Sequence, residues 1–304
     1  MLADLARRDD VIAFDLFGDM DLRADRVVKR RSLTALVDAA MEEEPGEVIY
    51  GASFENHPKL VERLAERHTL LGNPPEVLRA VRDPVKLGAV LDSYAPSTFT
   101  PPSSGRWLRK PLRGGGGIRV REWRGGALPR GMYLQERIDG VPCSVAAVGD
   151  VVLGVTEQLV GRREFGVRGY RWCGNLVPPR APVPLDQVQE ICSRLVAAFG
   201  LRGPFGVDFV WDGERARVVE VNPRPTASLE VIDPARAAGK AVVFATEDMV
   251  VGELEGVRDV PHPGERIAKG RPICTVVATA ATPDEVLTAL EEHAAALLGV
   301  AVCG

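Results

Sequence analysis

Apolar residues fall in two rhythms along the chain, and the rhythm changes as it goes. In the first third, apolar runs with strand character, "DVIAFDL" (10–16) and "EVIYGAS" (47–53), alternate with segments of helical spacing, "SLTALVDAAMEEE" (32–44) and "HPKLVERLAERH" (57–68). Pro58 suits the first turn of the second helix. This βα alternation predicts a layered α/β unit. "LGNPPEVLRAVRDPVKLGAVLDSYA" (71–95) predicts two short helices divided at Pro84, and "PSTFTPPSSG" (96–105) a linker. The middle third then turns to short strands: "RWLRKP", "GIRVREW", "MYLQERI" and a hairpin through "CSVAAVGDVVLGVTEQLV" that turns at Gly149-Asp150. A helix over 184–200 ends at Gly200, two strands flank Asp212-Gly213, and the tail carries a strand pair near "GERIAKGRPICTVVATA" and a last helix.

The strands around Asp212-Gly213 hold the most chemistry. A five-residue loop over 212–216 would pair Trp211 with Arg217 and Asp208 with Glu220. Asp208, Val210, Val218, Glu220 and Asn222 would then share one face, and Val207, Phe209, Val219 and Val221 would face the core. Two carboxylates opposed across a ladder sit about 5 Å apart and repel. A divalent cation resolves the conflict, since two carboxylates and an amide oxygen are hard donors suited to Mg²⁺. Arg224, just beyond the strand, would clamp phosphate. A two-residue loop would instead set Asp208 against Arg217 as an ordinary ion pair, and both registers stay open on pattern alone.

A second phosphate-type feature lies upstream in "RWLRKPLRGGGGIRV". Gly114, Gly115, Gly116 and Gly117 form either a flexible link or a loop whose bare N–H groups approach phosphate closely. Lys110, at the end of the preceding strand, can reach the same phosphates.

Composition sets the class. The chain has 304 residues, 45% of them hydrophobic, enough for two or three subdomains, and a formal net charge of -4, which argues against a nucleic-acid or membrane-surface partner. The first residues lack the apolar core of a signal peptide, and no stretch approaches a membrane span. Five scattered cysteines (143, 173, 192, 274 and 303) without a CxxC pair point to a reducing compartment. A cytoplasmic protein is expected. The four histidines (57, 68, 262, 293) show no ligand spacing; His57 and His68 read as solvated ends of a surface helix.

The ordered set "Lys-Pro, glycine loop, YLQERIDG, GVDFV, EVNPR" resembles the ATP-grasp superfamily of ATP-dependent carboxylate ligases over nearly the whole chain. The resemblance implies an α/β (α+β) ATP-grasp fold with three parts: a pre-ATP-grasp open-sheet domain over 1–85, a lid with glycine loop and hinge over 86–160, and a metal-binding part with a C-terminal extension over 161–304. It also implies ATP held between two antiparallel sheets, with Mg²⁺, or Mn²⁺ in its place. Carried over, Lys110 and Gly114 to Gly117 would bind the phosphates and Lys86 would contact the nucleotide. Gln135, Glu136 and Ile138 would hold adenine; Asp208, Glu220 and Asn222 would bind metal; Arg224 would meet phosphate. Two departures stand out. No acid follows Gly140 to bind ribose, which leaves Glu136 or Asp139 as substitutes. Gly206 stands where some amide-forming members have arginine, which leaves Arg171 or Arg224 to steady the transition state.

"DLFGDMD", "GYRWCGNLVP" and "VPHPGERIAKGRPICTVVATA" resemble ATP-grasp proteins of tetrahydromethanopterin- and methanofuran-linked one-carbon metabolism, a group that includes tyramine–glutamate ligase. This implies a carboxylate–amine ligation, with glutamate a candidate acid, in building a one-carbon carrier. The implied partners are small-molecule carboxylates and amines, with room for a homodimer. A small-molecule kinase of the same fold and a non-catalytic ATP-binding regulator stay open beside the ligase. On the substrate side the candidates are Asn175, together with Asp19 and Asn56, which follow strands of the first domain; Asp19 reads equally as a turn cap. Arg162 and Arg163 read as a solvated face that could also meet an acidic substrate.

Overall fold

The computed structural model describes residues 11–98, 105–232 and 235–300. Most of the expected linker over 96–105, and Cys303, lie outside these residues.

Four short strands and two helices open the chain: β1 (Ile12–Asp15), β2 (Arg26–Lys29), α1 (Leu33–Ala40), β3 (Glu47–Val48), α2 (Pro58–Ala65) and β4 (Thr69–Leu70). β1 and β2 pair in parallel, as do β3 and β4, so the open sheet appears as two separate two-stranded pieces. Ser32 caps α1 by accepting from the Ala35 N–H, and Pro58 sits in the first turn of α2. Val37, Ala40 and Leu64 bury the helix faces against Phe14 and Val48. His68 is not solvated. It is buried, and because its Nδ1 accepts from the Gly46 N–H, Nε2 carries the proton donated to the Ala40 carbonyl at 2.9 Å.

α3 (Pro75–Val81) and α4 (Pro84–Leu91) divide at Pro84, as the sequence predicts. Asp83 ends the break by capping α4 through the Val85 and Lys86 N–H groups. Beyond them, β5 (Trp107–Pro111), β6 (Arg121–Trp123) and β7 (Met132–Glu136) form a small antiparallel sheet in the order β6-β5-β7.

The large sheet has seven antiparallel strands, and its edge is the hairpin of interest. β8 (Val141–Val148), β9 (Val151–Val160), β10 (Trp172–Val177), β11 (Pro204–Trp211), β12 (Ala216–Asn222), β13 (Ala237–Phe244) and β16 (Pro272–Ala280) run in the order β12-β11-β8-β9-β10-β13-β16. β8 and β9, grouped by sequence with the lid over 86–160, hydrogen-bond inside this sheet, so the small sheet ends at Glu136. β14 (Met249–Val250) pairs with β15 (Arg266–Ile267), while β16 pairs with β13; the expected strand pair of the tail is therefore split between two sheets.

Two helices cover the large sheet. α5 (Leu185–Phe199), ended by a left-handed Gly200, buries Val188, Ile191, Cys192 and Leu195 against Val145, Phe205, Phe209 and Val221. α6 (Pro283–Val300) buries Val286, Leu287, Leu290 and Ala294 against Leu176, Ala241 and Val276. Cys143, Cys173, Cys192 and Cys274 are buried and unpaired within these cores, and burial pushes each thiol up to about 12. No described helix is long and apolar enough to cross a membrane.

Candidate functional site

Asp208 does face Glu220, but by a route that pattern reading misses. The hairpin turns through four residues, Asp212 to Arg215, with the Asp212 carboxylate accepting from the Glu214 and Arg215 N–H groups. Trp211 therefore pairs with Ala216 and Val210 with Arg217; a β-bulge between Phe209↔Val218 and Asp208↔Glu220 then adds one residue to β12. The bulge restores the opposition of the two carboxylates and excludes the Asp208–Arg217 register. It also exchanges two side chains: Val218 is 1% exposed in the core with Val207, Phe209 and Val221, whereas Val219 turns to the cleft. The bulged Val219 carbonyl accepts a hydrogen bond from Lys110 Nζ at 2.9 Å.

Around this pair the polar groups converge. Asp208 accepts from Gln158 Nε2 at 2.9 Å and from Asn222 Nδ2 at 3.0 Å. Burial and the opposed Glu220 raise its carboxyl to about 6. Burial pushes Glu220 the same way, yet the nearby Arg82 and Lys110 charges prevail and hold it below the usual carboxylate range. Arg82 bonds Glu220 through Nη1, and through Nη2 the Asn56 side-chain oxygen at 3.1 Å and the Gly114 carbonyl at 2.7 Å. Lys110 reaches Gln135 Oε1 at 2.9 Å. Arg224 bonds Glu55 Oε1 at 3.0 Å, and the buried Glu55 Oε2 and Arg224 Nε have no partner among the described residues. Two buried polar atoms left unmade on one ion pair mark a place where a polar ligand would be bonded.

The glycine loop is docked. Asn56 holds Gly114 by both backbone groups, and the Trp172 N–H donates to the Gly116 carbonyl. At Gly117, with φ +69°, a Cβ would lie 1.7 Å from the Tyr170 carbonyl oxygen, so only glycine permits this approach. The cleft between loop and hairpin is lined by Arg82, Lys110, Gly114, Gln135, Val219 and Glu220 and has a volume of about 50 Å³.

The remaining expected residues scatter. Lys86 is exposed on α4 and outside the cleft lining; Arg82, one turn earlier, takes the inner position. Glu136 accepts from the Ser97 N–H at 3.2 Å, and Ile138 is half-buried in the β7–β8 connection. Asn56 serves the glycine loop. Asn175 is buried, with Trp172 Nε1 at 3.1 Å and Thr156 Oγ1 at 2.8 Å using both ends of its amide. Asp19 gathers with Asp15, Asp21, Asp259 and Glu265, and its carboxyl rises to about 7 through burial first and then these neighbours. Arg171 stacks on the Phe244 ring at 4.1 Å, beside a different cavity. Arg82 and Glu55 escaped sequence reasoning, although Arg82 lies inside the stretch read as two helices over 71–95 and Glu55 between a strand-like and a helical stretch.

Gly206 has a packing reason. The chain leaving Arg224 crosses the sheet so closely that a Cβ on Gly206 would lie 2.5 Å from Thr226 Cγ2. A larger side chain there, arginine included, would require Thr226 to shift.

The sequence model of the ATP-grasp domain family matches residues 81–228, from the last residue of α3 to just past the bulged hairpin. A solved structure with the same architecture is the biotin carboxylase domain dimer of 2-oxoglutarate carboxylase from Hydrogenobacter thermophilus, in complex with MgADP, ADP and bicarbonate. It superposes with a TM-score of 0.65 at 15% identity, covering 89% of this chain and 81% of that one. The fold is ATP-grasp. Among curated proteins the chain is 31% identical over 119 residues to D-alanine–D-alanine ligase of Rhodospirillum rubrum and 25% identical over 170 residues to an uncharacterised protein of Methanocaldococcus jannaschii. These matches span 39% and 42% of the relatives' own lengths, and 38% and 48% of this chain. Asp208, Glu220, Asn222 and Arg224 lie within the matched region, and Glu220 lines the cleft together with the glycine loop.

Proposed function

We propose that this protein is an ATP- and Mg²⁺-dependent ligase that joins a carboxylate to an amine. The observation that carries the reading is the single cluster made by the Asp208/Glu220/Asn222 row, Lys110, Arg224 and the glycine loop. The donor set fits magnesium: Asp208 and Glu220 are opposed, and a hard dication relieves both the burial of the Asp208 charge, the larger cause of its rise, and its repulsion by Glu220. Bound by these carboxylates and the Asn222 amide oxygen, the ion would neutralise phosphate charge.

The chain's own residues supply the rest. Lys110 and Arg224 would exchange their present partners, the Val219 carbonyl and Glu55, for phosphate oxygens. A substrate carboxylate would attack the γ-phosphorus and release ADP; an amine would then open the acyl phosphate to an amide and release phosphate. Such chemistry works by positioning and charge, with little covalent work by the protein. A cleft of about 50 Å³ is far below the several hundred Å³ that small-molecule sites occupy, so the docked loop must lift for nucleotide to enter. The Gly114 tethers from Asn56 and Arg82 would re-form behind it. Adenine would lie along Gln135, Glu136 and Ile138.

The phrases shared with one-carbon-carrier enzymes motivate glutamate and tyramine-like or pterin-derived amines as first co-substrates. The test is ADP release over a panel of acids and amines. The ligase reading expects ADP and phosphate only when both co-substrates are present; a phosphorylated product from a single hydroxylated substrate overturns it in favour of a kinase.

A further inference from the structure

A second cavity, of about 510 Å³, opens on the other side of the glycine loop and shares Gly117 and Ile118 with the nucleotide cleft. Its wall carries Arg119, Arg121, Arg163, Arg168, Arg171 and Lys269, and among the described residues no carboxylate lines it. Three separate parts of the chain bring them: Arg119 and Arg121 follow the glycine loop, Arg163, Arg168 and Arg171 sit between β9 and β10, and Lys269 lies between β15 and β16. Among the described residues none of the six is ion-paired, whereas the adjoining Arg162 is held by Glu164 and Glu291. Arg121 turns back to the Val120 carbonyl at 2.7 Å.

Six cations of one sign, unpaired around a concave wall in a chain of net charge -4, repel one another unless an anion lies between them. The local backbone is fixed to keep them there. Arg119 takes a left-handed φ of +68°, rare for a residue with a side chain. Arg171 is braced on the face of Phe244. The Tyr170 carbonyl and Trp172 N–H that border this wall are the groups against which Gly117 and Gly116 dock.

We propose that this basic cavity binds a polyanionic substrate, one bearing at least two phosphate or carboxylate groups, and presents its reacting group to the nucleotide across the glycine loop. Its place in the reaction rests on the ligase reading; the anion binding does not.

The test is calorimetry on the full chain with Mg²⁺ and a non-hydrolysable ATP analogue kept saturating. Inorganic pyrophosphate and tricarballylate serve as probes to separate phosphoryl from carboxylate recognition. The wild type should bind at least one of them, more weakly as salt rises from about 0.05 to about 0.3 M. The double variant Arg168→Gln, Lys269→Gln should bind that probe about tenfold more weakly or worse, with analogue affinity and melting temperature unchanged. If the double variant melts early, Arg163→Gln carries the same comparison. Equal probe affinity in wild type and folded variant, or no binding of either probe at about 10 mM, overturns the proposal. If the analogue fails to bind while a probe still binds and responds to the variant, the ligase reading falls and the cavity assignment stands.

Discussion

Arg82 is bound to Glu220 across 138 residues of sequence, and the same guanidinium holds the Gly114 carbonyl at 2.7 Å. One side chain thus links the metal-side carboxylate to the phosphate loop, and both members of the ion pair are largely shielded from water. Removing one partner of a shielded pair strands the other, which typically costs about 3 kcal/mol. Arg82→Ala is expected to lose stability on that order in urea unfolding. Hydrogen exchange over residues 113–118 should also quicken, because the loop loses a tether. Unchanged exchange there would show that Asn56 and Trp172 hold the loop without Arg82.

The acidic group around Asp19 predicts a pH dependence. Its carboxyl is raised to about 7, with burial first and then Asp259, Asp15 and Asp21 as causes, so the folded protein binds this proton more tightly than the unfolded chain does. Stability should therefore fall as pH rises from about 4 to about 7 and stay lowered above it. Asp19→Asn removes the penalty, so the variant should melt higher than wild type at pH 8 and match it near pH 4. A variant less stable at pH 8 would show that the charged carboxylate is instead a needed cap. Nucleotide affinity should not change.

Gly206 and Thr226 make a pair testable by a double-mutant cycle. Gly206→Ala pushes a methyl into Thr226 and should cost about 1–3 kcal/mol through overpacking. In a Thr226→Ala background the same change should cost clearly less, as expected for residues in contact. Equal costs in both backgrounds would place the strain elsewhere.

These sites also show where the sequence is legible. The period-two pattern places Glu220 and Asn222 on one face, and the turn and helix signals at Pro58, Gly149, Pro84 and Gly200 stand where pattern puts them. The bulge is not written in that pattern: Val218 and Val219 are chemically alike, and only tertiary packing chooses which is buried. Arg82 and Glu55 stay hidden because their partners, Glu220 and Arg224, lie 138 and 169 residues away. Lys86, a nucleotide contact by resemblance to the ATP-grasp motif, is exposed, while Pro84, Leu87 and Gly88 of the same helix line the cleft. Strand composition likewise does not say which sheet a strand joins, and β8 and β9 hydrogen-bond in the large sheet.

In the proposed ligase, opposed Asp208 and Glu220 hold Mg²⁺ for a nucleotide beneath the glycine loop. The most direct measurement is calorimetric titration of a non-hydrolysable ATP analogue into wild type and Glu220→Gln, each with and without Mg²⁺. Wild type should bind in a magnesium-dependent way, weakened about tenfold or more in a Glu220→Gln variant that keeps its circular dichroism spectrum. Equal affinity in the two proteins, or wild-type binding indifferent to Mg²⁺, would contradict it.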